Sequence, residues 1–188
     1  IFDPTGETIK MLDVAPFITS GLMVCKDPDS GLINMGLYRH QLEGEQQLGL
    51  WAWDTHHAAY IRRRYEAMGK EMEVAIAIGH HPCVVLGAIS TLPAIGGEYE
   101  EASALLGEPL ELCQAETVDL PVPARAEIII EGKIPLGERV WEGPFAEWPG
   151  TYVADGEKPF IKVTAITMRK DAIYYDVFSA NREHTVLG

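Results

Sequence analysis

The chain has 188 residues, 47% of them hydrophobic and 23% charged, and a net charge of −13. That balance suits one sizeable globular domain, or one domain with an appendage. The acidic excess argues against a nucleic-acid or anionic-membrane surface, because neither would meet a basic patch here.

Cys25, Cys83 and Cys113 lie far apart without C-x-x-C spacing, so neither a zinc site nor a disulfide framework is signalled, and a reducing, cytoplasmic location is expected. No apolar run approaches the roughly 20 residues of a membrane span, and no basic, apolar leader opens the chain. It begins at Ile1 without a methionine and stops at Gly188 after a charged run, which reads as a fragment or a processed chain.

Residues 1–16 are mixed, broken by Pro4 and Pro16. Residues 17–25 read as an apolar strand, Lys26-Asp27-Pro28-Asp29-Ser30-Gly31 as a turn, and residues 32–42 as the returning strand of a hairpin. Gly36 inside the second strand suggests a bulge or a close approach of backbone to ligand. Asp54-Thr55 reads as a helix cap, with a helix over residues 56–68 stopped by Gly69. A buried strand over 73–79, a helix over 82–90 opened by Pro82, a loop over 93–97 and a short helix over 98–106 follow. Strands then dominate, over 110–117, 126–134 and 160–170, with a further one over 172–178 after the turn at Arg169-Lys170-Asp171. The predicted fold class is α+β, a mostly antiparallel β-barrel or sandwich with an inserted α/β segment over residues 55–107.

The stretch Val140-Trp141-Glu142-Gly143-Pro144-Phe145-Ala146-Glu147-Trp148-Pro149-Gly150 carries two carboxylates five residues apart. Gly143 and Pro144 disfavour a helix through both acids, so a loop of fixed shape is expected. Trp141, Phe145 and Trp148 are placed to desolvate one or both acids, and desolvation raises a carboxyl pKa toward what a proton donor needs near neutral pH. The plainer reading is a surface turn with solvated acids. Arg39 shares a strand with Asn34. Inside a barrel such an arginine needs an anion; on an edge strand both side chains would be solvated. Glu98 opens an acidic helix start, where the helix dipole alone favours it. His56-His57 stands at a helix start and His80-His81 caps the next helix; His-x-x-x-His spacing is absent. With no Gly-x-Gly-x-x-Gly and no P-loop, a nucleotide cofactor would have to be held another way. A glycosidase using the two acids would need carboxyl separations of about 5–5.5 Å or 6.5–9.5 Å, and it leaves Asn34 and Arg39 unexplained.

Three blocks together resemble the UbiD-like decarboxylases. Ile33-Asn34-Met35-Gly36-Leu37-Tyr38-Arg39 looks like that family's Asn-x-Gly-x-Tyr-Arg stretch. The run from Cys113 to Gly132 is similar to its Asp-Leu-x-Val-Pro-Ala-x-x-Glu-x-x-x-Glu-Gly block, and Glu142-Gly143-Pro144-Phe145-Ala146-Glu147 resembles its Glu-Gly-Pro-Phe-Gly-Glu loop, with Ala146 where glycine is usual. The resemblance implies a split β-barrel of the flavin-reductase type and a reversible, prenylated-FMN-dependent decarboxylation of aromatic or α,β-unsaturated carboxylic acids. It implies Arg39, Glu142 and Glu147 as the catalytic trio, with Glu147 as proton donor and Glu142 kept ionised by Arg39. It implies Asn34, His57 and Glu98 as ligands of a divalent cation (Mn2+ or Mg2+), with K+ nearby. Thr19, Met35, Gly36, Leu37, Tyr38, His56, Leu92 and Pro93 would join Asn34, Arg39, His57 and Glu98 around the cofactor.

Residues 1–188 would then be the middle, cofactor-binding domain, lacking the family's N-terminal segment and C-terminal oligomerisation domain. The implied partners are a small-molecule carboxylic acid substrate, carbon dioxide, a flavin prenyltransferase as cofactor supplier and, in the full-length protein, further copies of itself; no nucleic acid is expected. The alternative is a flavin- or metal-binding module without turnover of its own.

Overall fold

The computed structural model describes residues 15–91, 93–153 and 156–187. The expectations for residues 1–14 and for Leu92 lie outside these.

The hairpin forms as expected: β1 (Phe17–Lys26) pairs with β2 (Ile33–Gly44), with Lys26 opposite Ile33 and Leu22 opposite Leu37. Asp27 closes the turn by accepting the Ser30 amide at 3.1 Å, a bond its short carboxylate is suited to make. Next come β3 (Gln47–Gly49), α1 (His57–Ala67), β4 (Met72–Ile78), α2 (Pro82–Ala88) and α3 (Glu98–Leu106). Then follow β5 (Leu112–Gln114), β6 (Pro121–Pro123), β7 (Ile128–Ile134), β8 (Val140–Glu142) and β9 (Phe145–Ala146). β10 (Tyr152–Val153), β11 (Gly156–Lys158), β12 (Phe160–Met168) and α4 (Arg182–Leu187) complete the order.

Six strands close into an antiparallel barrel in the order β1-β2-β3-β12-β7-β4. Alternation along each strand divides the apolar residues into two sets. Met23, Cys25, Tyr38, Val74, Ile76 and Ile161 belong to a core that Ala58 and Ile61 of α1 join. Leu22, Val24, Ala75, Ala77 and Ile129 form a second cluster with Val84, Val85 and Ala88 of α2 and Ala102 of α3. Each fully buried Ile, Leu or Met contributes about 1.5–3 kcal/mol, so these two sets fix which face each strand turns inward. Among the described residues, no helix is long and apolar enough to cross a membrane.

Four expectations are corrected. The segment 55–107 is not a separate insertion, because β4 lies between β1 and β7 in the barrel wall and only the helices stand outside it. Residues 172–178 form no strand. They are an extended strap held by side chains: the Thr19 amide donates to Asp176 Oδ1 at 2.8 Å, Ser20 Oγ to the Tyr175 carbonyl, and the Ile173 amide to Glu127 Oε2 at 3.1 Å. The α1 N-cap is His56, which makes no side-chain cap bond, while Asp54 accepts from Arg63 instead. The strand expected over 110–117 shortens to β5 because the next turn is clasped by buried Glu131, which accepts the Glu116 and Thr117 amides at 2.9 and 2.6 Å. Burial pushes the Glu131 pKa up, but the bonds from Thr117 and Glu116 outweigh it and the carboxyl titrates below the usual range.

Two features position the site. A Cβ on Gly87 would lie 2.8 Å from the Ala102 amide nitrogen and 2.9 Å from the Glu98 carbonyl oxygen, so glycine lets α2 and α3 touch backbone to backbone. Beyond the barrel, β8 pairs with β11 and β9 with β10 as separate two-stranded ribbons.

Candidate active site

A cavity of about 480 Å³ opens where β2 meets the start of α1, the end of α2 and the start of α3. Asn34 to Arg39 of β2 supply one wall consecutively, so backbone as well as side chains faces it. His56, His57, Glu98 and Thr19 also line it, as does Glu147. Two expected residues are not in its wall: Pro93 is absent from the lining, and Glu142 stands behind it.

Arg39 joins the two acids. Its Nε donates to Glu142 Oε1 at 2.7 Å, and its Nη1 donates to Glu147 Oε1. The side chains of Arg39 and Glu142 are 5% and 0% exposed, that of Glu147 18%. The guanidinium carbon lies 4.3 Å from the Trp51 ring centre and 4.7 Å from that of Phe145, so stacking holds the plane that hydrogen bonding aims. Within the closed barrel wall a buried arginine without an anion would be an uncompensated charge; here two carboxylates from one turn compensate it.

The turn that carries the acids is not helical. Glu142 ends β8, Phe145 and Ala146 form β9, and the Gly143 amide between them donates to Gln41 Oε1 at 2.8 Å. The tryptophans are not what buries Glu142, since Trp141 is 59% and Trp148 45% exposed; of the three aromatics Phe145 is the buried one, at 2%. Glu142 is buried by the barrel, with Gly49 leaving room beside its Oε2. Burial raises the Glu142 pKa; Arg39 and then Lys158 pull it down without cancelling the rise, and Glu43 adds to it.

Asn34, His57 and Glu98 face the same cavity from three elements. Glu98 is the first residue of α3, as the helix dipole favours, but it is buried rather than solvated. Burial pushes its pKa up, against bonds from its own amide and that of Met35. Its Oε2 is a buried oxygen without a hydrogen-bond partner, as are the nitrogens Arg39 Nη2 and His56 Nδ1. Burial, then neighbouring His57, lowers the His56 pKa. Among the described residues, no group of three or more His, Cys, Asp or Glu is gathered as for a metal; the Asn34, His57 and Glu98 set contains two such residues.

Several site residues escaped the sequence reading. Trp51, Trp53, His184 and Leu187 line the cavity. The Trp51-Ala52-Trp53 spacing directly after the hairpin was the available signal. Nothing local marks His184, which the strap delivers. Its Nδ1 accepts the Ala180 amide at 3.2 Å, which leaves the neutral-ring proton on Nε2, 3.8 Å from Glu147 Oε2. Thr19 lines the cavity, but its amide and hydroxyl are engaged by the strap at Asp176 and Val177.

A guanidinium shared by a cavity-facing acid and a buried one, beside an oxygen-rich trio, defines a site that can orient an anionic substrate and move a proton to it. Comparison with known proteins places the chain. The fold is the split barrel of the flavin-reductase type, shared at TM-score 0.55 and 12% identity with nitrilotriacetate monooxygenase component B from Bacillus cereus. The UbiD family model, 3-octaprenyl-4-hydroxybenzoate carboxy-lyase Rift-related domain, matches residues 8–182, and the chain belongs to that family.

Anhydromevalonate phosphate decarboxylase of Methanothermobacter thermautotrophicus is 36% identical over 175 residues, 93% of this chain and 41% of that one. The UbiD-class enzyme HmfF of Pelotomaculum thermopropionicum, solved with FMN, superposes at TM-score 0.92 and 42% identity over 96% of this chain and 40% of that one. An evolved dimeric form of HmfF with prFMN gives 0.91 and 43%. Apo 3,4-dihydroxybenzoic acid decarboxylase (AroY) of Klebsiella pneumoniae gives 0.87 at 33% identity, over 95% of this chain and 39% of that one. The chain thus spans about two fifths of the length of these relatives.

Proposed function

We propose that residues 1–188 are the prenylated-FMN-binding catalytic middle domain of a carboxy-lyase that reversibly decarboxylates an aromatic or α,β-unsaturated carboxylic acid. The observation that carries this reading is Arg39 bonded at once to cavity-lining Glu147 and to fully buried Glu142. Relatives that share the fold at 33–43% identity are described as decarboxylases or as UbiD-class enzymes with FMN or prFMN.

In this reading Glu142 anchors Arg39, and Arg39 holds the substrate carboxylate by charge-assisted bonds. Glu147, reaching the cavity from the far side of the same guanidinium, delivers a proton to the carbon that loses carbon dioxide and takes it back in the reverse direction. Trp51 and buried Phe145, stacked on the guanidinium, exclude water around that transfer. When bound, prenylated FMN supplies the electron sink for the breaking carbon–carbon bond. Asn34, His57 and Glu98 would hold a Mn2+ or Mg2+ ion, with K+ nearby, since oxygen donors with one imidazole suit such cations. The buried, unpartnered Glu98 Oε2 fits that role. A cation there also lets a chain of net charge −13 meet a flavin phosphate.

The partners proposed are the carboxylic acid substrate, a flavin prenyltransferase that supplies the cofactor, and further copies of the full-length protein. Because the chain spans about two fifths of its relatives, the second reading is a flavin- and metal-binding module that does not turn over alone.

The test is to co-express the full-length protein with a flavin prenyltransferase in manganese medium, record its visible spectrum, and measure carbon dioxide release from hydroxybenzoates and cinnamates. Flavin absorbance with release is expected, and Glu147→Gln should keep the absorbance while abolishing release. A colourless protein sinks both readings; a coloured Glu147→Gln variant with undiminished release sinks the proton-donor role.

A further inference from the structure

One cation close to this array has no part in the mechanism above. Lys158 ends β11, which pairs with β8 so that Gly156 lies opposite Glu142 and Lys158 opposite Val140. Residues two apart on a strand share a face, and a diagonal partner is within reach of a long side chain. Lys158 therefore stands on the same face of the ribbon as Glu142. The position directly across from Glu142 carries no side chain, and the lysine folds back over it: a Cβ on Gly156 would lie 3.8 Å from Lys158 Nζ. The same ammonium lies 3.8 Å from the centre of the Trp51 ring, against which the Arg39 guanidinium stacks at 4.3 Å. One indole thus carries both cations that serve the buried acid.

We infer that Lys158 is a positioning residue for the Arg39–Glu142 pair, held by Trp51 and by the gap over Gly156 so that its charge keeps Glu142 ionised and the guanidinium anchored. The inference rests on the functional reading above for its consequence in turnover. The need for it is physical. Glu142 has no exposed surface, and its arginine is shared with Glu147. The charged groups that bear on Glu142 are Arg39 and Glu43 of β2 and Lys158 of β11, with Glu147 bound to the same arginine; β3 brings uncharged Gly49 against it. Lys158 and Glu43 act with opposite signs. If Glu142 takes up a proton, its bond to Arg39 loses charge assistance and the arginine is free to turn toward Glu147.

The experiment uses the full-length protein and three variants, Lys158→Met, Lys158→Arg and Glu43→Gln. The first readout is an infrared titration of carboxyl-labelled glutamate without cofactor, with Glu142→Gln identifying the Glu142 band. The second is the acid limb of kcat/KM for the loaded enzyme. Lys158→Met is expected to move the Glu142 midpoint to higher pH and to lower kcat/KM at the acid end by about threefold or more, as a half-unit displacement gives. Lys158→Arg should restore the wild-type midpoint, and Glu43→Gln should move it to lower pH. A purely packing role for Lys158 would lower activity evenly across pH and leave the band in place. An unmoved midpoint in Lys158→Met therefore overturns the inference. If the wild-type protein shows no decarboxylation, the functional reading fails by itself, and the infrared midpoint still decides the role of Lys158.

Discussion

Replacing Arg39 with methionine tests the central pair most directly. The thioether keeps much of the stem against Trp51 and Phe145 but removes the cation 2.7 Å from Glu142. Glu147, 18% exposed, regains water; Glu142, 0% exposed, does not. Leaving one member of a buried ion pair without its partner costs about 3–5 kcal/mol. Protonation sets a ceiling on that loss: at about 1.4 kcal/mol per pH unit above a free pKa of about 4.3, neutralising Glu142 costs about 4 kcal/mol at pH 7 and about 1 kcal/mol at pH 5. The sign follows from linkage. Without Arg39 the folded-state pKa of Glu142 rises further above its unfolded value, so its contribution is retained below the unfolded pKa and lost as pH rises. Urea unfolding of the variant against wild type should therefore show a deficit of about 3–4 kcal/mol at pH 7 that shrinks to about 1 kcal/mol at pH 5. The double variant Arg39→Met with Glu142→Met should recover most of the loss at pH 7, because two apolar side chains replace two charges. A deficit of equal size at both pH values, or no recovery in the double variant, would refute the reasoning.

Gly87→Ala places a methyl 2.8 Å from the Ala102 backbone nitrogen and 2.9 Å from the Glu98 carbonyl, so α3 must shift and carry Glu98 with it. We expect a loss of about 1–3 kcal/mol in stability from overpacking and weaker Mn2+ binding by calorimetry; unchanged affinity would detach Glu98 from the cation. His40 is fully buried, with Nδ1 donating to the Gly49 carbonyl at 3.1 Å, and burial lowers its pKa from 6.5 to about 4. Because the folded pKa is depressed, its contribution is complete above pH 6.5 and falls by about 3 kcal/mol as pH drops to about 4. His40→Leu should flatten that part of the stability profile, and an equally steep acid loss in the variant would exclude His40 as its source.

The site was legible where chemistry and chain order coincide. Arg39 sits on a hairpin whose turn residues announce it, and Glu142 and Glu147 flank a Gly-Pro pair that rules out a helix. What joins them was not legible, because Arg39 meets Glu142 across 103 residues of chain. The apolar runs of β1 and β4 and the period-two pattern of β12 made the strands expectable, but neither signal says which strands are neighbours, so the place of β4 in the barrel wall was not legible. Ile173, Tyr174, Tyr175 and Val177 have strand-forming side chains, yet their segment is fixed by Thr19, Ser20 and Glu127, and such side-chain anchors leave no period. The tryptophans beside the acids suggested the desolvating wall; the barrel provides it for Glu142, and the stacking partner Trp51 lies 90 residues upstream of Trp141.

The short span from Glu142 to Glu147 steps from one two-stranded ribbon to another. Its first acid is tied to β11, and its second follows β9, whose partner is β10. The anchor of the guanidinium and the acid that lines the cavity are thus mounted on separate supports, with the Gly143 amide pinned to Gln41 at the crossing. A substitution at Trp148, which lines the cavity, would reshape its mouth while leaving the Arg39–Glu142 bond and the Trp51 and Phe145 rings in place. The clamp on the guanidinium and the shape of the opening thus answer to different stretches of chain.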